Sequence, residues 1–255
     1  MRIYVCVKHV PDTAANIHIT GPAEYDGKVK FVANPYDEYA VEEAISLVEN
    51  NGDGEVVAVC VGSSSATNTL RSVMAMGIHR SILVKTEAQF PGTDLVAQAL
   101  AKVIQQEGPG ALILTGKQSV DSEGMQTSYH LAAELGLPVA TGVVSLSVEA
   151  DHAVIQRELD GGSRETLSVK TPCVLGATKG LNEPRFPKLP DILKAKKKEI
   201  KEIELSELGL TGGEKCRLTA LEPVDQRSNA KILEGSTAQI VAELVKILKE
   251  EEKVI

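Results

Sequence analysis

The sequence contains no tryptophan, and aromatic residues make up only 3 % of its 255 positions. With so few rings to fill space, a core must be built from Val, Ile, Leu and Ala, which suits parallel strands covered on both faces by helices. Positive charge is in deficit as well. A net charge of -8 opposes a general nucleic-acid-binding role, which needs a basic face. The four cysteines, Cys6, Cys60, Cys173 and Cys216, lie far apart, with no CxxC pair and no histidine at zinc-ligand spacing. Neither a disulfide framework nor a metal site is expected, and the cysteines read as small core residues in a reducing compartment. No apolar run approaches the roughly 20 residues of a spanning helix. MRIYVCVKHV opens directly on a strand pattern, so a soluble, cytoplasmic protein without direct membrane insertion is expected. Catalytic signatures are missing too. No GxGxxG follows the first strand, no GxxxxGK[ST] occurs, and no serine sits in a GxSxG elbow. The five histidines, His9, His18, His79, His130 and His152, are scattered, and no catalytic residue is assigned.

What is present is alternation. RIYVCVK, EVVAVCVG, SILVK and ALILTG read as buried strands, while DEYAVEEAISLVENNG, SATNTLRSVMAMG and TDLVAQALAKVIQQEG space apolar residues by three and four and end near Gly, as helix C-caps do. This predicts an α/β fold with a doubly wound, mostly parallel sheet on a Rossmann-like, adenine nucleotide alpha hydrolase-like plan. VVSLSVEA, HAVIQREL, ETLSVK and PCVLGAT then follow with only turn residues between them, which predicts a β meander of added antiparallel strands at about 141–178. From about Lys188 comes a basic helix, then weakly patterned polar sequence, then a helix in TAQIVAELVKILKEEEKV. The expected division is an α/β nucleotide-binding domain at 1–190, and a basic helix with C-terminal helical extension at 191–255. A compact core is expected to do without residues 200–255, leaving a tail that packs on a partner or folds back on its own domain.

Open α/β sheets bind ligands beyond the carboxyl ends of their strands. The candidate there is LTGKQSVDSEGMQTSYHLAAELG, where a strand ending at Thr115 passes through Gly116 to Val120 into a helix capped by Asp121 or Ser122. Met125, Tyr129, Ala132 and Leu135 would form the helix's inner stripe. N–H groups at such a start can cradle a phosphate without a cationic clamp, although Gly, Ser and Asp also open helices that bind nothing. Cys6 to Lys8 and Val61 to Ser63 should converge on the same sheet edge. Asn34, before a Pro at a helix start, reads as a turn or cap residue or as a hydrogen-bond partner of a ribose or base.

The stretch LNEPRFPKLPDILKAKKK, Leu181 to Lys198, sets six Lys/Arg against two acids in an acidic chain. Together with VCVKHVPDT, VANPYDEYAVEEA, GKQSVDSEGMQT, RELDGG and ETLSVKTPC, in this order and spacing, it resembles the beta subunit of electron transfer flavoprotein. The resemblance covers nearly the full chain and is weakest after about residue 200. It implies half of a heterodimer that accepts electrons from acyl-CoA and related dehydrogenases and passes them to a membrane quinone reductase. FAD is then held mostly by the alpha subunit, and AMP lies in this one.

By resemblance, Cys6, Asn34, Gly116, Gln118, Asp121, Gln126 and Thr127 line the AMP site. Tyr36 lies near the isoalloxazine of the alpha-subunit FAD, where Thr13 replaces a tyrosine of some relatives. Leu189, followed by Pro190, anchors a recognition loop on the dehydrogenase, with Lys194 and Lys197 flanking it and Arg185 acting as a structural pin. Some relatives bind a second FAD in place of AMP and split electron pairs. Gln126-Thr127 and LNEPR favour the AMP form, whereas VPDT and HLAAELGLP are shared with the flavin form. The rival from another class is a stand-alone adenine-nucleotide-binding module or hydrolase, which would have no evident use for the recognition-like loop or the C-terminal extension.

Overall fold

In the computed structural model, residues 1–210, 215, 218–223 and 230–255 are described; Cys216 lies outside them. The chain divides into two compact units, Met1–Leu221 and Glu222–Ile255. The boundary expected at residue 190 therefore falls inside the first unit.

Among the described residues, nine strands of the first unit form one sheet. They are β1 (Arg2–Cys6), β6 (Glu55–Gly62), β7 (Arg80–Lys85), β8 (Leu112–Gly116), β9 (Val139–Glu149), β10 (His152–Glu158), β11 (Arg164–Lys170), β12 (Cys173–Ala177) and β13 (Ile200–Glu204). The short strands β2 (His9–Pro11) and β5 (Phe31–Ala33) pair with each other, as do β3 (Ile19–Gly21) and β4 (Glu24–Tyr25). The large sheet runs β11-β10-β9-β12-β8-β1-β6-β7-β13. From β12 to β13 every pair is parallel. These strands are near-continuous apolar runs because helices cover both faces. Helices α1 (Pro35–Asn51), α2 (Ala66–Met76) and α5 (Leu189–Ala195) supply one apolar layer, and α3 (Thr93–Glu107) and α4 (Thr127–Leu135) the other.

Local sequence accounts for these helices. In α1, Pro35 stands at the first turn with its φ already suited to helix. Ala40, Val41, Ala44, Ile45 and Val48 are buried along one face. Gly52 then ends the helix at φ 73, donating its N–H back to Val48 O at 3.1 Å, a left-handed cap that costs glycine little.

The structure corrects two expectations. Only β9, β10 and β11 form the antiparallel meander. β12 returns to lie parallel to both β8 and β9, because all five of its residues are buried and such a strand belongs in the sheet's middle. Second, β13 pairs in parallel with β7 as the far edge, so the first unit does use residues beyond 200. Its sequence IKEIE keeps charge outward, with Lys85 Nζ 3.3 Å from Glu202 Oε2 and 2.5 Å from Glu204 Oε1, a usual protection for an exposed strand edge.

In the second unit, Ser236 N–H donates to Gln239 Oε1 at 2.9 Å, opening α6 (Thr237–Lys246), which runs on as a π turn over Ile247–Glu251. No residue of α6 is buried. Among the described residues, no helix is long and apolar enough to cross a membrane.

Candidate nucleotide site

The chain leaves β1 toward β6 and β7 on one side, then crosses back through α3 to β8 on the other. The order of the strands therefore reverses between β1 and β8, where their carboxyl ends diverge and leave a crevice. A cavity of about 660 Å³ lies there, within the usual range for small-molecule sites.

Asp37, in the first turn of α1, ties the two strand ends together. Its Oδ2 accepts the Lys8 N–H at 2.7 Å, and its Oδ1 accepts the Gly116 N–H at 2.9 Å and Asn34 Nδ2 at 2.9 Å. Burial pushes the Asp37 carboxyl up to about 7, against these donors, which favour its ionised form. Gly116 must be glycine here, since a Cβ would stand 2.7 Å from Tyr36 Cβ and 2.8 Å from its carbonyl carbon.

Asn34 extends the brace into the following loop. Its Nδ2 donates to Gln118 O at 2.9 Å, and its Oδ1 accepts the Val120 N–H at 3.1 Å. With both amide protons bonded inside the protein, Asn34 fixes the shape of the loop rather than opening toward the cavity.

The loop itself departs from expectation. α4 starts at Thr127, not near Asp121, because Glu123 (φ 49) and Met125 (φ 53) are left-handed on either side of Gly124 and cannot continue a right-handed helix. The helix's buried face is Ser128, Leu131 and Ala132, while Met125 and Tyr129 are each 46 % exposed. Ser128 Oγ lies 2.7 Å from the buried Thr115 Oγ1, locking α4 to the end of β8. Asp121 caps nothing and instead accepts Lys8 Nζ at 2.7 Å.

Of the expected site residues, Cys6, Asn34, Gly116, Gln118, Asp121, Gln126 and Thr127 all line the cavity. Tyr36 is not part of this wall, and Lys117 Nζ stands 5.7 Å from its ring centre. Cys6, Cys60 and Cys173 are buried. Burial raises the Cys6 thiol well above its ordinary range, so it is a neutral wall group and no nucleophile. The starts of α2, α3 and α4 also border the cavity, through Ser63 and Ser65, Thr93, and Gln126 to Ser128. Each such end carries partial positive charge and N–H groups without intrahelical partners.

Sequence reasoning brought Lys8 to this edge without a role for its side chain, and it missed His9, Asp37 and the roof. His9 sits between Thr69 Oγ1 at 2.7 Å and Ser65 Oγ at 3.0 Å and stacks on Phe31 at 4.5 Å. In the roof, Gln89 Nε2 donates to Tyr25 O at 3.1 Å, and the Tyr25 ring meets Phe90 edge-on at 5.7 Å. The one signal for Asp37 was an acid in the first turn after Asn-Pro, which many helices share.

The segment from Leu181 to Lys198 lies apart from this cavity; none of its residues lines it. Arg185 binds Glu42 through Nε (2.9 Å) and Nη2 (2.9 Å), and Glu49 through Nη1 (2.8 Å) and Nη2 (2.9 Å). Burial pushes Glu42 up, but Arg185 and Ser46 more than offset it and hold its pKa below the ordinary value. At the other end, Arg71 Nη1 donates to Ala195 O and Lys196 O at 3.0 and 2.9 Å, closing the carboxyl end of α5. Between these anchors Phe186 is 94 % exposed and Leu189 69 %. Pro190, Lys194 and Lys197 are also exposed, with Lys194 Nζ 3.5 Å from Asp191. Phe186 was another residue the sequence reading passed over.

A sequence model of the electron transfer flavoprotein domain matches residues 26–208. The chain is 39 % identical over 262 residues, covering all of both proteins, to the electron transfer flavoprotein subunit beta of Bradyrhizobium diazoefficiens. It is 36 % identical to that of Bacillus subtilis, again over all of both chains, and 39 % identical to the human subunit over 97 % of this chain and 98 % of that one. Full-length identity at this level, together with the domain match, places the chain in the electron transfer flavoprotein beta-subunit family.

Proposed function

We propose that the chain forms a heterodimer with an electron transfer flavoprotein alpha subunit, binds AMP in the cavity between β1 and β8, and serves as an electron carrier. FAD, held mainly by the alpha subunit, supplies the redox chemistry. The side chains described here position, enclose and dock. Electrons enter from acyl-CoA-type dehydrogenases and leave to a membrane quinone reductase.

The observation that carries this reading is the braced loop at the switch point. Asn34 and Asp37 hold its backbone from below by the bonds to Gln118, Val120 and Gly116, and the starts of three helices face the same space. Such a pocket suits a phosphate bearing an adenosine. Gln118, Asp121, Gln126 and Thr127 then stand around the nucleotide, with Cys6 as apolar floor.

The anchored segment supports docking. Phe186 and Leu189 are held outward between two arginine-pinned ends, so little entropy is lost when they enter a partner's pocket. Lys194 and Lys197 would steer an acidic partner surface. Tyr36, outside the cavity, is assigned to the flavin side, and residues 222–255 to the alpha-subunit contact.

The test is to co-express the chain with its alpha subunit, purify the complex, and count the FAD and AMP released on denaturation. One of each per heterodimer is expected. Two FAD and no AMP would replace this reading with an electron-splitting form; no flavin would end it.

A further inference from the structure

Among the described residues, the cavity wall carries three acids, Asp37, Glu87 and Asp121, and two lysines, Lys8 and Lys117. Of these groups, the two lysines offer positive charge to an anionic ligand. The Lys117 ammonium stands 5.7 Å from the centre of the Tyr36 ring, a residue outside the cavity wall. His9 is occupied by two hydroxyls, and burial lowers its pKa, which keeps it neutral at neutral pH. Lys8 is different. Its backbone N–H is fixed by Asp37 Oδ2 at 2.7 Å, which sets where the side chain leaves β1. Its Nζ crosses the switch point to Asp121 Oδ1 at 2.7 Å and Ser119 Oγ at 3.3 Å. Ser119 Oγ is in turn 2.9 Å from Ser122 Oγ, so the lysine holds Asp121 and Ser119 directly and reaches Ser122 through Ser119.

We infer that Lys8 is a specificity residue of this cavity: by neutralising Asp121 inside loop 116–126, it lets the loop receive the phosphate of an adenine mononucleotide and sets the preference for AMP over adenosine. The inference rests on the nucleotide reading above and adds the residue that fixes the ligand's charge. Asp121's side chain is 18 % exposed, although the residue as a whole lies at the surface, and Lys8 is the cation that meets its charge. Left alone, it would repel a phosphate brought to the same loop. Backbone amides and helix ends attract anions, but a bare carboxylate among them would offset much of that attraction. Lys8 removes the conflict while its bond to Asp121 ties the loop to β1.

The full chain, freed of nucleotide, would be titrated calorimetrically with AMP and with adenosine. Wild type is expected to prefer AMP. Lys8→Met should lower AMP affinity by about tenfold or more while changing adenosine affinity by less than about twofold. Lys8→Arg, which keeps the charge, should retain the preference and controls for folding. Lys8→Met with Asp121→Asn should recover most of the AMP affinity, because the charge to be neutralised is gone. Equal losses for both ligands in Lys8→Met would overturn the assignment and leave Lys8 a structural residue. No recovery in the double variant would overturn neutralisation as its mode of action. A wild-type chain that binds neither ligand would instead remove the nucleotide reading beneath the inference.

Discussion

Burial and hydrogen bonding pull the Asp37 carboxyl in opposite directions. Three N–H donors favour the ionised form, while exclusion of water favours the neutral one, and burial prevails, raising it from 3.8 to about 7. An acid held above its unfolded value binds its proton more tightly in the fold. The stability this brings is therefore complete below the unfolded pKa and lost as pH rises through the folded one. For Asp37 the window runs from 3.8 to about 7. Asp37→Asn cannot titrate and supplies one acceptor oxygen where two now serve Lys8, Gly116 and Asn34. It should be less stable than wild type throughout, with the gap narrowing as pH rises from 4 to 8. Urea midpoints measured across that range would test this. A gap that widens with pH would mean that the three donors outweigh burial and hold Asp37 ionised.

At the scale of elements, the segment from the end of β12 into α5 separates anchoring from presentation. Arg185 belongs to the anchor, because its loss leaves the 7 %-exposed Glu42 without its guanidinium partner. Arg185→Ala is expected to cost about 2 kcal/mol in urea unfolding. Leu189→Ala should leave the unfolding midpoint unchanged, since Leu189 is 69 % exposed and the removed surface already faces water. If the docking proposal is right, it should slow electron transfer from the dehydrogenase with flavin content intact; equal rates would remove Leu189 from the contact. The contrast shows what a sequence displays and what it hides. The strands β1, β6, β7 and β8 were legible because buried parallel strands are unbroken apolar runs. The place of β12 was not, since a short apolar strand looks the same whether it extends a meander or inserts beside β8. β13 was hidden because IKEIE resembles any charged surface stretch until β7 pairs with it. The loop at Gly116 to Thr127 was visible as a strand end running into a helix. Asp37 and the bonds of the Lys8 side chain were not, because their partners lie 29 to 113 residues away in sequence, where no local pattern reaches.

Across the whole molecule, the switch in strand order places the cavity, and the two apolar clusters on either face of the sheet hold it open. Among the described residues, both clusters lie within the first 210 positions, and the compact unit ends at Leu221. A chain ending there should fold with a single cooperative transition, because the core, β13 and the loop at β8 all remain. Its Tm is expected to move by no more than about 4 °C, the shift that roughly 1 kcal/mol produces in a domain of this size. On the proposed reading, the shortened chain should still bind AMP but no longer hold the alpha subunit, since α6 has no buried residue and an exposed amphipathic helix is a natural docking element. Calorimetry with AMP and co-purification with the alpha subunit separate the two roles. Loss of the cooperative transition would show that residues 222–255 complete the core. Retained folding with retained assembly would move the alpha-subunit contact onto the first unit, where Tyr36 and the meander become its candidates.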